Sequence, residues 1–175
     1  GYPIAIVMAG LNENIMALQS EKSSTFILRA KSYVLEPLDD LRIANNYARY
    51  LNVSDAVAIQ LSKMSKGYAL AFQSLGRIMS EMKATSVTDE VIEKFKEDMS
   101  SYSYQLIWNS LTVAQQNVLK EIAKRGGTAT TAELKEVFGD GSYNQLRRAL
   151  ADRQLIDCSV NGVASFLLPE FTGFV

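Results

Sequence analysis

Residues 112–168 read TVAQQNVLKEIAKRGGTATTAELKEVFGDGSYNQLRRALADRQLIDCSVNGVASFLL. Within this stretch three Ser or Thr residues are each followed, three positions on, by Gln or Glu: Thr112 with Gln115, Thr130 with Glu133 and Ser142 with Gln145. Such a capping box lets the hydroxyl accept from a backbone N–H at a helix start while the longer side chain reaches back to the cap residue. Each box precedes apolar residues at helical spacing: Val118, Leu119 and Ile122, then Leu134 and Val137, then Leu146, Ala149 and Leu150. Gly126, Gly127 and Gly139 break the chain between them. Two β-prone runs then flank Asn161-Gly162, the pair that suits a type I′ turn with positive φ at both central residues. That turn sets Val160 opposite Val163, Cys158 opposite Ser165 and Ile156 opposite Leu167.

Three short helices followed by a β-hairpin is the order of a winged helix, a helix-turn-helix with a wing. Upstream, four amphipathic segments predict a small helical bundle. Asp39 caps a segment whose Leu41, Ala44, Tyr47, Ala48 and Leu51 form one stripe. Ser54 caps the next, with Val57, Leu61 and Met64, and Gly67 ends it. A third holds Leu70, Phe72, Leu75 and Met79. Thr88 opens the fourth, with Asp89 and Glu90 favouring the helix dipole, and this segment carries Ile92, Phe95, Met99, Tyr102 and Leu106. Its run EVIEKFKED (90–98) predicts a solvated face with an i,i+4 pair between Glu90 and Lys94. Tyr102, Tyr104 and Trp108 are expected to pack the junction between bundle and winged helix rather than to stack bases, and the six methionines to fill the core. The fold class expected is mainly α with small β: a helical bundle followed by a winged helix.

The chain opens GYPIAIVMAGL, which reads as a buried parallel strand with no second run of its kind to pair with. Residues 26–28 close a short expected helix and residues 32–35 form a short expected strand before Pro37. Gly1 stands where Met would start a gene, which fits a piece cut from a longer protein. The 175 residues are 47% apolar, enough for a hydrophobic core, and carry a formal charge of −1. That balance is not the basic surplus of a protein that coats nucleic acid. The absence of His removes the commonest general base and metal ligand. A lone cysteine, Cys158, excludes an internal disulfide, fits a reducing, cytoplasmic setting and has no base nearby in sequence. No apolar run approaches the ~18–20 residues that cross a bilayer, so no membrane partner is expected.

The segments IAIVMAGL (4–11), RAKSYVLEPLDDLRIANNYARYL (29–51) and LSKMSKGYALAFQSLG (61–76), followed by a winged helix, resemble the second half of an AAA+ ATPase. The likeness is to the archaeal-type branch, with the origin initiators and related bacterial ATP-binding proteins. In that family a sensor-1 strand, a helix and a short strand lead through an L-x-P-L turn into a helical lid. The lid's Ser-x-Gly…Phe-Gln-x-x-Gly pattern is similar to Ser65, Gly67, Phe72, Gln73 and Gly76. The resemblance implies a remnant of the ATPase core over 1–36, the lid over 37–106 and the winged helix over 107–175. It implies ATP and Mg²⁺ as cofactors of the parent, and the ATPase core, a client protein or further copies as partners. It makes Arg29 a candidate arginine finger and Asn12 the nearest candidate for nucleotide sensing.

The departures from that family are specific. No Gly-x-x-x-x-Gly-Lys-Ser/Thr occurs, and no apolar run ends in Asp-Asp or Asp-Glu, so these residues alone cannot hydrolyse ATP by that mechanism. The lid arginine expected after Gly67 is replaced by Tyr68-Ala69-Leu70-Ala71, and Arg77 is a poor substitute.

Double-stranded DNA is the partner suggested by SYNQLRRALADRQ (142–154). Ser142, Tyr143, Asn144, Arg147 and Arg148 fall in the first two turns of the expected recognition helix, where Asn reads adenine and Arg reads guanine or holds phosphate. Lys124 and Arg125 end the first helix of the expected winged helix, within reach of backbone. Against this, residues 107–175 hold seven Lys and Arg and seven Asp and Glu, and the expected wing has no basic residue. Two other readings stand beside it: a free-standing winged-helix transcriptional regulator, and a winged helix that docks protein without touching nucleic acid. No metal site is expected.

Overall fold

Asp39 accepts a hydrogen bond from the Arg42 N–H at 2.9 Å and starts helix α1 (Asp40–Leu51). In this computed structural model residues 7, 8, 10, 18, 29–31, 33 and 35–175 are described. The chain divides into two compact units, Gly1–Leu35 and Glu36–Val175. The second is mainly helical with one small antiparallel sheet.

Ser54 and Thr88 cap α2 (Asp55–Ser65) and α4 (Asp89–Met99) as their hydroxyls predict, and α3 (Ala69–Glu81) lies between. Ile43, Ala44, Tyr47, Ala58, Leu61, Leu75, Ile78, Val91 and Phe95 share their core. Leu41, expected inside, is exposed, because the buried stripe of α1 runs through Ile43 instead. Polar side chains tie the helices where apolar ones end. Tyr47 donates to the Phe72 carbonyl at 2.7 Å, and Ser62 donates to the Asp40 carbonyl at 2.7 Å. The Leu38 N–H donates to the Gly67 carbonyl at 2.8 Å. At Gly67, φ is +71° and a Cβ would lie 2.8 Å from the Leu38 oxygen, so this approach of chain to chain requires glycine.

After α4 the helix does not continue in register. Ser100–Tyr104 form a π turn, in which the Gln105 N–H reaches the Ser100 carbonyl, before α5 (Gln105–Asn109) resumes. A π turn holds one residue more than an α turn. The buried series is therefore Phe95, Met99, Ser103 and Tyr104, not Phe95, Met99, Tyr102 and Leu106. Tyr102 and Leu106 are 67% and 70% exposed, which corrects their expected burial.

Tyr104 is fully buried at the far end of this turn. Its ring meets Phe171 edge-on at 4.9 Å and Phe174 at 5.5 Å, and Trp108 meets Phe174 at 6.1 Å. Phe171 and Phe174 belong to the terminal helix α9 (Phe171–Phe174). The Tyr104 hydroxyl donates to the Pro169 carbonyl, and burial raises its pKa. Two of the three junction aromatics thus pack, and Tyr102 does not.

Thr112 and Thr130 form complete capping boxes with Gln115 and Glu133 and start α6 (Val113–Lys124) and α7 (Thr131–Phe138). Between these helices lies β1 (Thr128–Thr130). The third box does not form. Helix α8 (Asp140–Asp152) begins two residues before Ser142, from Gly139 at φ +79°, so Ser142 lies inside the first turn rather than at the cap. Asp140 pairs with Lys135 at 2.5 Å across that kink.

The sheet runs β1–β3–β2, with β2 (Ile156–Asp157) and β3 (Val163–Phe166), and β1 had no counterpart in the sequence expectation. Ile156 faces Phe166 and Asp157 faces Ser165, one residue from the expected register. The type I′ turn is absent too: Gly162 has φ +76°, whereas Asn161 has no positive φ. The cause is Asp157. Its carboxylate accepts from the Ser159 N–H at 2.8 Å and the Ser159 hydroxyl at 2.9 Å, which takes the chain out of the ladder after two residues.

The opening strand and the short strand at 32–35 fall mostly outside the described residues. At their described positions, Val7, Met8, Tyr33 and Leu35, the backbone is not strand and the side chains are exposed.

Replacing Tyr104 separates the ring from its hydroxyl. Tyr104→Ala is expected to cost about 3–5 kcal/mol and Tyr104→Phe about 1–2 kcal/mol, the latter for the orphaned Pro169 carbonyl. Urea titrations followed by the fluorescence of Trp108 measure both.

Candidate nucleic-acid interface

Helix α8 has one buried side and one open side. Tyr143 and Leu150 are fully buried, whereas Gly141, Ser142, Asn144, Gln145, Arg148 and Asp152 are exposed. Asn144, Gln145 and Arg148 lie three and four residues apart, so they share the open face. Of the expected DNA contacts, then, Ser142, Asn144 and Arg148 are brought together. Tyr143 is removed from the set: it is a core residue, and burial raises its phenol pKa, an effect that Thr131 partly offsets. Arg147 is only half-exposed, and its Nε is buried without a hydrogen-bond partner. Gln145 is the residue that sequence reasoning missed. It stood in the expected third capping box, and the earlier helix start releases it to the surface.

Three other cations, Lys124, Arg125 and Lys135, are held by acids nearby. Glu121 bonds Arg125 and also Lys124, the latter at 3.0 Å, and Arg125 lies 3.6 Å from Glu133. Lys120 sits over the Trp108 ring at 5.6 Å, and Arg153 donates to the Ser110 hydroxyl at 2.5 Å. Arg148 is exposed, and no ion pair joins it to an acid among the described residues. These bonds depress the acids: Arg125, then Lys124, holds Glu121 below its ordinary value. The Thr130 hydroxyl and N–H lower Glu133, and Lys135 lowers Asp140.

In the helical half, Arg77 is bound by Asp98 and by Glu81, and Asp98 also accepts from Ser74 at 2.5 Å. Arg29 is exposed, and Asn12 lies outside the described residues. Among the described residues no group of three or more Cys, Asp or Glu could hold a metal ion, and no helix is long and apolar enough to cross a membrane. Cys158 is free and half-buried against the core.

Comparison with protein-family models, with curated proteins and with solved structures returned no match to this chain.

Because Glu121, Glu133 and Asp140 titrate below their ordinary values when folded, the folded chain binds fewer protons than the unfolded chain in that range. Their contribution to stability is present above the ordinary carboxylate range and is lost as pH falls through the lowered values. The urea midpoint should therefore drop as pH falls below about 4.5, the ordinary Glu value. Glu133→Gln should flatten that dependence.

Proposed function

We propose that the chain is the lid and winged-helix part of an AAA+-type ATPase, and that its C-terminal domain engages double-stranded DNA through the open face of α8. The observation that carries this reading is the uncovered row Asn144, Gln145 and Arg148, with Ser142 in the same first turns. Gln145 presents the paired donor and acceptor that match the adenine edge, Asn144 can do so by giving up its 3.3 Å bond to Asp140, and Arg148 can hold guanine or phosphate. The order helix, strand, helix, helix, hairpin around one small sheet supports the winged-helix assignment. On this reading a cytoplasmic parent supplies the motifs that bind ATP and Mg²⁺, and residues 36–175 bind rather than catalyse.

The electrostatics define the strength of such an interface. Phosphate neutralisation supplies most of non-specific affinity, with a salt slope of about −0.9 per contact. Arg148 has no acidic partner among the described residues, and the pair holding the 71%-exposed Lys124 is weak enough to yield to a phosphate. A slope of about −1 to −2 and an affinity no tighter than the ~10⁻⁴–10⁻⁶ M of non-specific binding follow for the domain acting by itself. A second reading, a domain that docks protein and ignores nucleic acid, is favoured by one specific observation: Glu121, Glu133 and Asp140 already occupy Lys124, Arg125 and Lys135.

Fluorescence anisotropy on a labelled duplex, repeated across salt, separates the readings. DNA engagement predicts weak binding with that shallow slope, reduced at least about fivefold by Arg148→Ala and unchanged by Tyr143→Phe. A free-standing regulator would instead select one duplex sequence with a steeper slope. No binding even at low salt leaves the docking reading and removes the first.

A further inference from the structure

Asp140 opens α8 and joins two groups beside the open face of that helix. Its Oδ1 accepts from Nζ of Lys135, on α7, at 2.5 Å and from Nδ2 of Asn144, one turn along α8, at 3.3 Å. Asp140, Asn144 and Arg148 are exposed and stand four residues apart, so they form one ridge along the helix. That ridge begins with an acid, continues with an amide that the acid holds, and reaches a cation only two turns later. The Asp140 side chain is 73% exposed and that of Lys135 37%, so both partners of the pair reach solvent. Lys135, with a smaller contribution from Asn144, holds the Asp140 carboxyl below its ordinary range, and the acid is therefore charged near neutral pH.

We propose that Asp140 restrains the DNA-binding face of α8 by holding Lys135 and Asn144 and by meeting phosphate with its own charge. This inference rests on the DNA reading given above. The carboxylate opposes binding in three ways. It neutralises Lys135, so a cation beside the ridge releases no counterion when DNA arrives. It draws the Asn144 amide to itself, whereas reading adenine requires that amide to aim at a base edge. It also repels phosphate directly. The first and third effects act on every duplex sequence, and the second acts on adenine recognition. Because the pair is exposed it is weak, and a duplex that has engaged Arg148 can displace it. A first-turn acid also favours the helix dipole, a structural role that has to be separated from the restraint.

Anisotropy of a labelled duplex across salt, with the full chain, makes that separation through the sign of the charge removed. Asp140→Asn is expected to bind about fivefold tighter, the worth of an exposed ion pair. Its salt slope is expected to steepen by about 1, as Lys135 becomes a phosphate contact. Lys135→Met breaks the same pair but leaves the acid, and is expected to bind no tighter than wild type, with no steeper slope. Adding Lys135→Met to Asp140→Asn should return the slope to the wild-type value. Circular dichroism should match wild type in each variant. A pair with a structural role alone moves both single variants in the same direction, and that result overturns the proposal. An Asp140→Asn variant that binds as wild type does also overturns it, and leaves the DNA reading standing. No binding at low salt by either wild type or Asp140→Asn removes the DNA reading and this inference together.

Discussion

Tyr104 packs against the terminal helix, and the second unit depends on that contact. Its ring sits among Phe171, Phe174 and the neighbouring Trp108, and its hydroxyl is bonded to the Pro169 carbonyl. A helix of four residues has almost no stability of its own. Phe171–Phe174 is held by rings from a helix about seventy positions earlier in the chain. Phe166, on the central strand, also meets Phe171 at 5.2 Å, so the sheet joins the same cluster. Tyr68 and Lys66 reinforce the connection, with Tyr68 bonded to Ser103 at 2.9 Å and Lys66 to the Phe166 carbonyl at 3.3 Å. The helical half and the sheet-bearing half are thereby coupled, and a force on one is passed to the other through packed rings rather than through a flexible linker.

The π turn is the condition for that arrangement. Two apolar registers overlap after Met99: one through Tyr102 and Leu106, the other through Tyr104, Ile107 and Trp108. A helix can bury only one of them against a single neighbour. The second register has the larger aromatic surface, and burying it outweighs the less regular hydrogen bonding of the π turn needed to reach it. The same choice exposes Tyr102 and Leu106, so the internal joint and these two exposed side chains are two consequences of one inserted residue.

Charge tells a complementary story in residues 107–175. Its neutral balance is not a mixture of free cations and free acids. Lys124, Arg125 and Lys135 are bonded to a neighbouring acid and Lys120 to a ring, whereas Arg147, Arg148 and Arg153 belong to α8 and its C-terminal end. A face that offers Asn144, Gln145 and Arg148 against such a background is suited to contacts of short range. On the proposed DNA reading, recognition would rest on hydrogen-bond geometry more than on charge.

Much of the fold was legible locally. Asp39, Ser54, Thr88, Thr112 and Thr130 cap the helices they were expected to cap, and Glu90 pairs with Lys94 at 3.2 Å, because each of these bonds closes within four residues. The candidate site was legible only in part: Ser142, Asn144 and Arg148 reach the surface, but Tyr143 enters the core and Gln145 leaves its expected cap. Both outcomes follow from where α8 begins, which Gly139 and the Lys135–Asp140 pair set between two helices. The hairpin register shifted because Asp157 captured Ser159, a short-range bond competing with a ladder that periodicity alone cannot rank. What the sequence by itself determined are the caps, the breaks and the amphipathic character of each segment, all of them properties of neighbours along the chain. Which of two apolar faces would be buried after Met99, and which polar side chains would remain in water on α8, only tertiary structure decided. Those choices depend on the area that distant residues such as Phe171 and Phe174 bury, and no local pattern carries that information.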